Sequence, residues 1–66
     1  MPNLVEALAG EIERNAKLIQ LYEEIGSAGV FGKTIIQMDI DNGKKALASG
    51  DVVEIAKAYE AMKDNE

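Results

Sequence analysis

The stretch of this chain richest in chemical possibility is Gly26-Ser-Ala-Gly-Val-Phe-Gly-Lys-Thr34. Its end, Gly32-Lys33-Thr34, matches the close of a phosphate loop, where glycines let backbone N–H groups cradle phosphates and the lysine reaches their oxygens. That motif places its first glycine five positions before Gly32, where Ser27 stands; Gly26 is one place too early. The preceding residues read as a helix, not the strand such a loop follows, and the chain is too short for a parallel sheet. A nucleotide triphosphatase is therefore excluded. A non-catalytic site is still conceivable. A glycine-rich turn opening a helix leaves backbone N–H groups free, and the helix dipole favours an anion there. Ser27, Gly29, Gly32, Lys33 and Thr34 are the candidate ligands for a nucleotide or phosphate. The simpler alternative is a helix–helix turn with Ser27 as its cap.

Asp39-Ile-Asp-Asn-Gly43 suggests a calcium loop. An EF-hand needs acids at positions 1, 3 and 5, glycine at 6 and glutamate at 12. Starting at Asp39 puts Gly43 at position 5, and starting at Met38 loses the acids at 1 and 3. No register fits, and a solvated helix face is expected instead. The chain has no Cys and no His. This removes the common zinc sites, the Cys–His dyad and the Ser–His–Asp triad. Tyr22 and Tyr59 fall on apolar faces, where packing with the hydroxyl at the rim is the ordinary role. No enzyme, no metal and no cofactor is expected.

These residues need elements to position them, and the glycines divide the chain into three segments. Asn3 followed by Glu6 resembles a capping box. Val5, Leu8, Ile12, Ile19 and Tyr22 then share one helical face, interrupted by Asn15 and widened by Leu18, Leu21 and Ile25. Glu13 and Lys17 are spaced for an outward i,i+4 pair. Gly26 suits the left-handed residue that ends a helix. In the last segment Asp51 caps, Val52, Ile55, Ala56, Tyr59 and Met62 face inward, and residues 64–66 should fray. The middle segment is ambiguous. Ile36, Met38 and Ile40 alternate with polar residues like a strand. A helix there aligns Gly29, Gly32, Ile36, Ile40, Gly43 and Leu47 in one seam. No partner strand follows within the chain, so the helix is preferred, with a dimeric strand pairing through 34–41 as the alternative. The expected fold is all-α: one small three-helix domain spanning 1–66, with helices over about 4–25, 28–48 and 52–64.

Two further expectations concern the middle helix. Each interior glycine costs about 1 kcal/mol relative to alanine. A seam of three therefore marks a close backbone approach, unless Gly29 and Gly32 merely start the helix and Gly43 is a weak point. Asp39 falls within the apolar arc, where an unpaired carboxylate is costly. It should meet Lys33, Arg14 or a base on a partner, or lie at an edge.

The chain has 66 residues, with twelve acids against seven bases and a net charge of −5. Non-specific nucleic-acid binding needs a basic surface and is excluded. Purely apolar runs reach only three residues, as at 7–9 and 46–48, so no membrane span is expected. No signal peptide is visible, and a cytoplasmic location is expected. A chain this short has a marginal core of its own, on the order of 3–5 kcal/mol at best. Without disulfide or metal, association with a second copy is the expected support, most simply as a helical dimer.

Ile25-Gly-Ser-Ala-Gly-Val-Phe-Gly32 and Ala48-Ser-Gly-Asp-Val-Val53 resemble small uncharacterised open reading frames of phages and prophages. The resemblance covers a little over half of the chain. It implies an accessory factor that binds and blocks a host component, defence systems included; it carries over no residue role. The leading functional expectation is thus a non-catalytic interaction protein, a phage-type inhibitor engaging a basic protein surface. Glu11, Glu23, Glu24, Asp39, Asp41 and Glu54 are the candidate contact acids. A nucleotide sponge built on residues 26–34 and a structural or assembly module are the alternatives.

Overall fold

A computed structural model describes residues 3–65, and every element among them is helical. Helix α1 spans Leu4–Ile25. Asn3 starts it as read from the sequence: its side-chain oxygen accepts the Glu6 N–H at 2.8 Å. At Gly26 the backbone swings to φ +82°, which an L side chain resists. Gly26–Gly29 form one 3-10 turn, and α2 runs from Val30 to Ser49. Leu4 to Ser49 is thus an unbroken helical path folded back on itself at this turn, so residues 28 and 29 are helical but precede α2 proper.

The strand alternative for 34–41 is overturned. Ile36 and Ile40, four apart, are buried, while Met38 between them is 60% exposed. Burial therefore follows the helical period and not alternation. Helix α2 stops at Gly50, whose left-handed φ of +70° lets its N–H reach the carbonyls of Ala46 and Leu47. Asp51 then caps α3, Val52–Lys63, by accepting the N–H groups of Val53 and Glu54.

The core is a single cluster of Leu8, Ile19, Ile36, Ile40, Ala46, Ile55, Ala58 and Met62 at the seam of the three helices. Tyr22, Ile12 and Leu18 pack against its edge. The glycine seam is a close approach. A Cβ on Gly29 would strike the Tyr22 carbonyl, and one on Gly32 would strike the Tyr22 ring. On Gly43 it would lie 2.7 Å from Met62 Cε and 3.3 Å from Ile12 Cγ1. Gly29 and Gly32 do open α2, but they also let α1 lie tight against it. Tyr22 accordingly serves as packing for the turn.

Candidate interaction surface

Helix α3 ends against a polar clamp. Asn15, fully buried where it interrupts the apolar face of α1, donates to the carbonyls of Glu11 at 2.7 Å and Met62 at 3.4 Å. Its side-chain oxygen accepts from Asn65 Nδ2 at 2.9 Å, and the same amide donates to Asp39 Oδ2 at 2.9 Å. The Arg14 guanidinium is held by Glu11 at 2.8 Å and donates to the carbonyls of Met62 at 2.9 Å and Asn65 at 2.8 Å. The last carbonyls of a helix lack partners within it, and a cation at that end also meets the favourable end of the dipole. Arg14 supplies both. One expectation is corrected here and another is narrowed. Asn65 does not fray but is locked from three sides; Glu66 lies outside the described residues. Asp39 is half-buried and takes its hydrogen bond from an amide, with no ion pair among the described residues. Its carboxylate is satisfied from 26 positions away, which no local pattern announces.

The clamp also marks where coverage stops. Helix α3 has 12 residues against 22 in α1 and 20 in α2, so at about 1.5 Å per residue it falls more than 10 Å short. Arg14 and Asp39 touch its end. On α1, Leu18, Leu21 and Ile25 follow Arg14 at four, seven and eleven residues, on the same helical stripe. On α2, Ile35 and Phe31 precede Asp39 by four and eight, with Met38 alongside. This continuation of the seat of α3 has nothing over it among the described residues. Phe31 is 79% exposed, Ile25 61%, Met38 60%, Leu21 55% and Ile35 42%. Together they present roughly 500 Å² of apolar surface, toward the top of what a lone chain leaves open. The sequence shows these side chains as surplus to a three-helix core; only the length of α3 gathers them in one place.

The residues 26–34 are largely occupied within the fold. Gly29 and Gly32 face Tyr22, and the Thr34 hydroxyl donates to the Val30 carbonyl at 2.9 Å. Lys33 pairs with Glu23 at 3.6 Å, and Ser27 is exposed in the 3-10 turn. A cleft of about 280 Å³ at this end is lined by Tyr22, Glu23, Gly26, Val30 and Lys33, so Lys33 alone of the five candidate ligands borders it.

The six candidate acids do not gather on one face. Glu11 belongs to the Arg14 clamp, Glu23 to Lys33, and Glu54 pairs with Lys57 at 3.8 Å. Asp39 is bonded to Asn65, and Asp41 accepts from Gln37 at 3.1 Å. Glu24 is exposed beside the apolar stripe. An open groove of about 500 Å³ between α2 and α3 counts Asp39, Glu54, Lys45 and Lys57 in its lining, which is mixed rather than acidic. Asp39–Gly43 runs through the middle of α2. No described helix is long and apolar enough to cross a membrane. Neither protein-family models, nor curated proteins, nor solved structures give a match to this chain.

Proposed function

We infer that the protein is a non-catalytic interaction protein, which works by occupying a surface of another protein. The observation that carries this reading is the uncovered stripe on α1 and α2. A small chain with a marginal core gains nothing in stability from solvent-facing Phe31, Ile25 and Met38, whereas burial of such a patch is the usual driving force of association. The net charge of −5 adds that a further partner would be met by a basic surface. An inhibitor of the phage accessory type fits both features. A nucleotide- or phosphate-sequestering role has less support, because Lys33 is held by Glu23 and Thr34 by its own helix.

Affinity capture from host lysate tests the reading, with the chain compared against Leu21→Glu and against the double reversal Glu23→Lys/Glu24→Lys. Proteins retained by the native chain should be lost with the first variant and should bind more slowly, most visibly in low salt, with the second. A thermal-shift panel of mono-, di- and cyclic nucleotides separates the alternative: a shift abolished by Lys33→Ala would replace the interaction reading with a sequestering one.

A further inference from the structure

We propose that the apolar stripe is the seat of a second copy of this chain, docked face to face and antiparallel about a two-fold axis at the level of Leu21 and Ile35. The proposal rests on the interaction-protein reading and names the occupant of that face. Three observations select a second copy. The first is area. Roughly 500 Å² of apolar surface with its polar rim approaches the ~800 Å² per partner of a standard stable interface.

The second is the shape of the face. Helix α3 stands on one end of it and leaves the other bare. A two-fold axis along the helices would stack α3 on the partner's α3. An axis across the helices sets bare end on bare end, with α1 antiparallel to the partner's α1, α2 antiparallel to the partner's α2, and the two α3 helices at opposite ends. Heights on the hairpin agree with this. Ile12 meets Gly43 and Tyr22 meets Gly32, so α1 and α2 positions summing to about 54–55 lie level. Leu21 and Ile35 are then close to one level, at the middle of the patch.

The third is charge. Lys17 and Glu24 border the stripe on α1, seven residues apart, both exposed, and neither forms an ion pair among the described residues. Antiparallel pairing centred on Leu21 places Lys17 of each copy beside the partner's Glu24, giving two opposite-sign contacts at the rim. Two copies of an acidic chain would otherwise repel; at this seam the charges are complementary to themselves.

Sedimentation equilibrium of the purified full chain across the micromolar range decides it. The expected result is reversible dimerisation, weakened roughly a hundredfold by Leu21→Glu with the helical circular dichroism retained. Lys17→Glu and Glu24→Lys should each weaken it about tenfold, and the two together should restore it. The charge variants keep the test valid should Leu21→Glu unfold, because neither residue holds the fold together. A one-chain mass at every concentration overturns the proposal, as does a dimer indifferent to Leu21→Glu. A double reversal no better than the singles overturns the antiparallel arrangement. These failures are distinct from failure of the interaction reading, which shows as no host protein retained by the native chain.

Discussion

At the scale of the residue, the fold turns on two asparagines. Asn15 is fully buried, yet all its polar atoms find partners, as do those of every buried side chain among the described residues. Among the described residues its oxygen accepts from Asn65 alone, and the same Asn65 amide also holds Asp39. Asn65→Ala therefore leaves a buried acceptor without a donor, which costs about 1–3 kcal/mol. In a domain this small that is a fall in melting temperature of roughly 5–15 °C, readable by circular dichroism. Asn65→Asp should be no better, since it sets a second carboxylate against Asp39. A fraying terminus would show neither effect. Nearby, the hydrogen bond and charge of Glu60, 3.0 Å away, raise the Lys63 pKa above its ordinary value. The sign follows: the contribution is fully present below the unfolded lysine pKa and is lost only as pH rises through the raised one. Lys63 should thus add no pH dependence to stability between pH 6 and 9, and a denaturation series comparing Lys63→Met with the native chain should show a parallel pH profile there.

At the scale of the element, the glycines separate into those that make room and those that do not. Gly10 lies within α1 with nothing within 4 Å of where a Cβ would stand. Gly10→Ala should stabilise by about 0.5–1 kcal/mol through helix propensity alone. Gly32→Ala meets the same propensity gain but drives a methyl into the Tyr22 ring, and Gly29→Ala, in the 3-10 turn that precedes α2, drives one into the Tyr22 backbone. Both should lower the urea midpoint, and the opposite signs at chemically identical substitutions form the check. A result in which all three stabilise would mean that α1 and α2 do not approach closely at the turn. The elements themselves were legible because their signals are local: Asn3, Gly26, Gly50 and Asp51 each act on neighbours within four residues. Helix α2 needed the extra argument that a lone strand has no partner, and its burial pattern at Ile36, Met38 and Ile40 agrees. The clamp was not legible. Asn15 looked like a break in an apolar face, Arg14 like one candidate partner for Asp39, and Asn65 like a loose end. Their partners lie 47 to 51 positions away, a separation that periodicity and capping rules do not reach.

At the scale of the whole molecule, eight buried apolar residues form the core among the described residues while Leu21, Ile25, Phe31, Ile35 and Met38 stay open. The sequence already shows that excess, since α1 is apolar on two adjoining stripes; which stripe stays bare follows from where α3 stops. If a second copy covers it, folding and association are linked, and stability depends on concentration by mass action. Each tenfold rise in protomer above the dissociation constant adds about 1.4 kcal/mol per dimer, half of that per chain. For a domain of this size, the melting temperature should therefore climb by roughly 3–5 °C per decade of concentration. Leu21→Glu should flatten that slope, because it places a carboxylate at the centre of the seam. Lys57→Glu should leave the slope as it is: its side chain is 71% exposed on α3, touches only Glu54 among the ionic partners, and lies away from the bare end. Its own effect should be a small shift common to all concentrations, since exposed ion pairs contribute at most about 1 kcal/mol. Scanning calorimetry of the three proteins over two decades of concentration reads all of this at once. Parallel, flat lines for all three would mean that the stripe faces water and that the three-helix core suffices alone.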